Sequence, residues 1–168
     1  MMATREHTAQ HLPLSTRLLA AILPVSTKIH ISLYRWTGGA IGGRISGNPM
    51  LLLTTIGRKT GQQRTTALGY IADGDALVII AGAAGSPKHP AWWLNLKAHP
   101  ETQVQIGRRI LPVRATEATP EEEQRILSRH PKQCALFDAM QRAVTRKIPV
   151  VILRPIRCES AYGDFLNS

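Results

Sequence analysis

Residues 57–64 read GRKTGQQR, with Arg58, Lys59 and Arg64 set around Gly57, Gly61 and Thr60. No Asp or Glu occurs between Leu51 and Ile71. A turn of this composition can meet an anion through charged side chains and through backbone N–H groups freed where glycine bends the chain. A solvated hairpin tip explains one or two cations. Three cations beside threonines, with no acid nearby, favour a site for phosphate or carboxylate groups. A second stretch, GAAGSPKHPAWWLN at 82–95, puts small residues after an apolar run, where a flat ligand could approach the backbone. Pro90 suits the first turn of a helix whose N-terminal amides aim at that loop, beside Lys88 and His89. Trp92 and Trp93 read first as core and second as a stacking surface. The case for His89 as a catalytic base rests on its position alone. Cys134, Phe137 and Met140 recur at i, i+3 and i+6, a face explained most simply by core packing and second by an apolar substrate pocket.

Positioning these residues requires a sheet. Residues 50–56 and 64–72 flank the basic turn, and Asp73-Gly74-Asp75 marks a second hairpin before an apolar run at 77–81. Residues 102–106 alternate, with Gln103 and Gln105 out and Val104 and Ile106 in, and 110–116 follow across Gly107. Thr119-Pro120-Glu121-Glu122 is a capping box that starts a helix. A further helix is expected over 132–146 and a last strand over 150–153. The order is helix, three strands, short helix, two strands, two helices, strand. This predicts an α+β protein whose antiparallel strands close into a small barrel with flanking helices. The glycine-rich stretch 38–47 follows a helix and has the wrong spacing for a dinucleotide fingerprint, so it reads as a connection.

The chain has 168 residues and a formal charge of +10, enough for one domain and a preference for anionic partners. Cys134 and Cys158 stand apart and the histidines are scattered, which predicts reduced thiols, no metal site and a cytoplasmic setting. No apolar run is long enough to span a membrane. Residues 1–13 read as a tail. From 15 to 36, apolar residues at Leu18, Ile22, Val25, Ile29, Leu33 and Trp36 form a basic amphipathic helix interrupted by Pro24. Packing on its own domain is the first reading of that helix. Contact with the inner face of the cell membrane uses the same features and stays open.

Together LLLTTIGRKTGQQRTT (51–66), the DGD turn (73–75), KHPAWWLNLKAHPETQVQ (88–105) and Ile148-Pro149-Val150-Val151 resemble the deazaflavin-dependent nitroreductase family. The resemblance runs from about Tyr34 to Pro155. It implies a split β-barrel related to FMN-binding flavoproteins, here residues 37–155, with 1–36 and 156–168 as N- and C-terminal segments. It also implies coenzyme F420, a deazaflavin with a phosphate and an oligoglutamate tail. By this resemblance Arg58, Lys59 and Arg64, with Thr60 and Gly61, hold the phosphate and tail. Thr65, Thr66, Ala67, Leu68, Gly69 and Tyr70 line the ring with Ile80, Ala81, Gly82 and Ala83. Lys88, His89, Pro90, Ala91, Trp92, Trp93, Leu94 and Asn95 close its other side. The activity implied is hydride transfer from reduced F420 to an activated alkene, a quinone or a nitroaromatic. Where nitroimidazole-reducing relatives carry tyrosines on the late helix, this chain has Cys134, Phe137 and Met140, which leaves Tyr70 as the phenol near the ring. Rival readings are an FMN- or haem-binding protein of the same fold, a carrier that binds F420 without turnover, and a basic nucleic-acid-binding module. The last lacks a recognition motif. Assembly is expected to be monomeric or homodimeric.

Overall fold

The computed structural model describes residues 29–45, 47–83 and 86–156. The expectations for the tail, for most of the helix at 15–36 and for the C-terminal segment lie outside them. Helix α1 is described over residues 29–37. Strands β1 (Arg44–Ile45), β2 (Asn48–Ile56), β3 (Gln63–Gly69), β4 (Ile71–Asp73) and β5 (Ala76–Ile80) follow. After them come α2 (Ala91–Ala98), β6 (Glu101–Ile106), β7 (Arg109–Glu117), α3 (Pro120–Arg129), α4 (Pro131–Arg142) and β8 (Val150–Pro155).

All strand pairs are antiparallel, in the order β1-β2-β6-β7-β8-β5-β4, with β3 joined to β2. The sheet curls into a half-barrel, the expected α+β split barrel. Its strand after the basic turn is not continuous. Residues 63–69 pair with β2 and residues 71–73 pair with β5, so the chain changes partners at Tyr70, whose N–H donates to Pro49 O at 3.1 Å.

Two apolar clusters hold the sheet. Inside the curl, Leu51, Leu53, Ile79, Val104, Val113, Val151 and Leu153 pack with Trp92, Trp93 and Leu96 of α2. On the outer face, Val78, Val150 and Ile152 pack with Ile126, Leu127, Phe137 and Ile148 beneath α3 and α4. Strand β8 serves both clusters. Alternate side chains of a strand point to opposite faces, so a continuous Val-Val-Ile-Leu run is what a strand covered on both sides requires. Each such side chain contributes roughly 1.5–3 kcal/mol relative to exposure.

Helix α3 begins where the capping box predicts. Thr119 accepts from Glu122 N–H, and the Glu122 carboxylate accepts from Thr119 N–H. Helix α4 ends at Arg142 instead of Arg146, and residues 143–149 form a connection back into the sheet. Helix α1 is docked by Tyr34, 1 % exposed, which donates to Met50 O and accepts from Gly107 N–H, both at 3.0 Å.

Candidate active site

The basic turn closes on itself. Gly57 O accepts from Thr60 N–H at 3.0 Å and from Gly61 N–H at 2.7 Å, while Gly57 N–H donates to Gln62 O at 2.8 Å. Gly61 takes a φ of 66°, which a residue without Cβ adopts freely. A further participant comes from helix α2. The Asn95 side chain, 4 % exposed, accepts from Arg58 N–H and donates to Thr55 Oγ1, each at 3.2 Å. These bonds bear on two expectations. Most amides of the turn are already used within the fold, so its side chains are the groups left to meet an anion. Asn95 braces the turn through both polar atoms of its side chain.

Arg58, Lys59 and Arg64 are all exposed, and among the described residues none has a carboxylate at ion-pair distance. Five cations elsewhere are compensated. Arg114, Arg125, Arg129, Lys147 and Arg154 each pair with an Asp or Glu. Arg125 grips Asp73 through both guanidinium nitrogens, at 3.2 and 2.8 Å. That hydrogen bonding, aided by the nearby charges of Arg125, Arg129 and His130, holds the Asp73 carboxyl below its ordinary range against an opposing effect of burial. The hairpin thus presents three exposed cations with no paired carboxylate among the described residues.

The side chains of strand β3 alternate between two faces. Thr65 bonds Thr54 Oγ1 at 3.1 Å and accepts from Arg35 Nη2 at 3.0 Å, on the face covered by α1. Ala67 and Gly69 share that parity, whereas Thr66 and Leu68 point to the opposite side. Leu68 and Tyr70 pack against the inner cluster.

A cavity of about 190 Å³ opens at the corner where β3 gives way to β4. Gly69, Tyr70, Ile71, Val78 and Ile80 line it from the sheet, and Gln133, Leu136 and Met140 line it from α4, with Asn48 at its edge. The structure thus brings Tyr70 and Met140 together, as the sequence reading expected, but not Cys134 or Phe137. Phe137 is 7 % exposed within the outer cluster, and Cys134 packs beside it. The stripe 133, 136, 140 faces the cavity, while 134 and 137 lie on the neighbouring stripe that faces the core.

The loop after β5 is also packed differently from the expectation of an open approach to the backbone. A Cβ added to Gly82 would collide with Met140 Sδ, so the missing side chain makes room for Met140. Ala81 belongs to the inner core. Ala83 adopts φ 50°, a left-handed conformation that is strained for a residue with a Cβ. Trp92 and Trp93 are buried in the inner cluster, consistent with their first reading as core, and Lys97 Nζ lies 5.9 Å from the Trp93 ring centroid. Lys88 and Ala91 are exposed, while His89, Pro90 and Leu94 are half-buried. Pro90 is the N-cap of α2, not its first helical residue.

A family model for F420H(2)-dependent quinone reductases matches residues 26–155, a span holding both the hairpin and the Tyr70 cavity. The chain belongs to this family. An F420H(2)-dependent quinone reductase of Mycobacterium tuberculosis (strain H37Rv) is 39% identical over 132 residues, which cover 75% of this chain and 87% of the relative. A solved F420-H2 dependent reductase has a TM-score of 0.56 at 33% identity, covering 63% of this chain and 94% of its own. Another solved structure, described as a domain-swapped dimer, has a TM-score of 0.59 at 28% identity, covering 76% and 95%. F420 as cofactor and oxidoreductase chemistry follow from membership of the quinone reductase family. No group of three or more metal-ligating side chains occurs among the described residues, and no helix there is long and apolar enough to cross a membrane.

Two of the contacts that shape these loops join residues far apart in the sequence. Asn95 meets Arg58 across 37 positions, and Arg146 meets the loop after β5 across more than 60. No local spacing marks either pair.

Proposed function

We propose that this protein is an F420H2-dependent reductase that delivers a hydride to the ring of a small quinone. The observation that carries the reading is the triad of unpaired cations on a turn braced by Asn95, joined by strand β3 to a cavity walled by Tyr70 at its other end. The donor set fits the cofactor. Arg58, Lys59 and Arg64 offer a guanidinium, an ammonium and a second guanidinium without competing carboxylates, which suits a phosphate followed by glutamates. When bound, reduced F420 supplies the hydride, and the chain's own residues do the rest.

The Asn95 brace holds the turn in place before a ligand arrives, which lowers the ordering cost of binding. Ile71, Val78, Ile80, Leu136 and Met140 give the cavity an apolar wall that keeps water from the reacting ring. At about 190 Å³ it is smaller than a drug-sized pocket and suits one quinone head group. A quinone oxygen gains a proton as its ring accepts hydride. Tyr70 lines that cavity, and its hydroxyl has no hydrogen-bond partner among the described residues, so we assign it to donate to this oxygen. A homodimer fits this reading, since one relative is described as a domain-swapped dimer.

The test is anaerobic oxidation of F420H2 by a short-chain 1,4-naphthoquinone, followed by return of deazaflavin absorbance. Saturable turnover that falls in Tyr70→Phe supports the assignment. Tight FMN binding with no response to F420 would overturn it.

A further inference from the structure

Arg146 lies in the connection between α4 and β8, half-buried, with no carboxylate at ion-pair distance among the described residues. Apart from a 3.5 Å bond from Nη1 to Lys147 O, its guanidinium is spent on neutral groups of one loop. Nη2 donates to Ala81 O at 3.2 Å and to Gly82 O at 3.0 Å, Nε donates to Ser86 O at 3.1 Å, and Nη1 donates to His89 Nδ1 at 3.3 Å. These contacts lie on both sides of Ala83 and its left-handed backbone, a conformation that persists only where its surroundings over-determine it.

Two consequences follow from this grip. In a trans peptide the N–H of the next residue points opposite to the carbonyl. With the Ala81 and Gly82 carbonyls turned to Arg146, the N–H groups of Gly82 and Ala83 point away from it, and neither meets an acceptor among the described residues. The second consequence concerns His89. A guanidinium can only donate, so His89 Nδ1 must be the lone-pair nitrogen and the ring proton sits on Nε2. An Nε2–H imidazole with its Nδ1 occupied is a donor, which removes His89 as a general base.

We propose that Arg146 is a positioning residue that holds residues 81–83, with Ser86 and His89, so that two adjacent backbone amides are aimed at an oxygen of the bound ring system, and that sets His89 as an Nε2–H donor. The amide part rests on the reductase reading above, whereas the His89 tautomer does not. A lysine cannot replace Arg146, because a single ammonium lacks the planar fork that serves these acceptors together.

The test compares wild type, Arg146→Met, Arg146→Lys and Arg142→Ala, the last removing an exposed cation from the end of α4. Binding is measured by fluorescence with F420 and with its ring and ribityl chain lacking phosphate and glutamates. The His89 ring nitrogens are followed by ¹⁵N NMR in the protein without ligand. Arg146→Met is expected to bind both ligands roughly tenfold more weakly. Arg146→Lys should resemble it, Arg142→Ala should match wild type, and the ring proton should leave Nε2 as the dominant site in both Arg146 variants. Wild-type ring affinity in Arg146→Lys, with unchanged His89 signals, overturns the proposal. If Arg146→Met does not fold, Arg146→Lys decides. Should wild type bind neither ligand, the reductase reading fails and with it the amide role, while a wild-type His89 protonated on Nδ1 would refute the tautomer by itself.

Discussion

Replacing Asn95 with alanine removes the one side chain that joins α2 to the basic turn. Two hydrogen bonds of 3.2 Å are lost, and Arg58 N–H and the buried Thr55 hydroxyl each lose a partner. At about 1 kcal/mol per bond, with part of the cost of an unsatisfied buried group added, the loss is about 2–3 kcal/mol. For a chain of this length that corresponds to a fall in Tm of roughly 4–12 °C. Urea unfolding reads the stability, and F420 fluorescence titration well below the transition reads the hairpin. The cations remain in Asn95→Ala but their turn is no longer tethered, so F420 affinity should drop about fivefold, equivalent to about 1 kcal/mol. Unchanged F420 affinity in a destabilised variant would refute the idea that this brace prepares the hairpin. A stability change under about 0.5 kcal/mol would refute the energetic reasoning itself.

Three further outcomes can be checked separately. The Asp73 carboxyl is held below its ordinary range by Arg125, so its ion pair contributes stability above the unfolded-state value near pH 4, and that contribution disappears as pH falls through the lower folded-state value. Urea midpoints of wild type and Asp73→Asn should therefore differ at neutral pH and converge under acid. Ala83→Gly should relieve a left-handed strain of about 1–2 kcal/mol, less about 0.4–1 kcal/mol of added unfolded-chain entropy, for a net gain of roughly 0.5 kcal/mol in thermal unfolding. Tyr70→Phe should lower quinone kcat/KM by about a hundredfold while leaving F420 affinity unchanged, because the proposed proton donor is lost but the anion clamp remains.

What was legible in the sequence depends on the range of the interaction. The α3 capping box involves residues three apart, and it occurs as the sequence predicts. The DGD turn and the basic hairpin are likewise local, and both join antiparallel strands. On α4, Cys134, Phe137 and Met140 pack on the core as their spacing most simply reads, but the stripe that faces the cavity was not legible because neighbouring stripes of a helix carry similar side chains. Only the position of the sheet decides that Leu136 faces the cavity and Phe137 the core. The break at Tyr70 was invisible because an apolar strand that changes partners keeps its composition. Gly82 looked like access for a ligand, yet Met140, more than fifty positions away, occupies that space.

The central claim is that Lys59 and Arg64 hold the charged end of the cofactor. The most direct measurement titrates wild type and the Lys59→Ala/Arg64→Ala variant with F420 and with the ring lacking phosphate and glutamates. Exposed charge pairs contribute up to about 1 kcal/mol each, so the double variant should bind F420 roughly tenfold more weakly, bind the truncated ring as wild type does, and lose most of its salt dependence. Equal F420 affinity in the two proteins, or equal losses for both ligands, would contradict it.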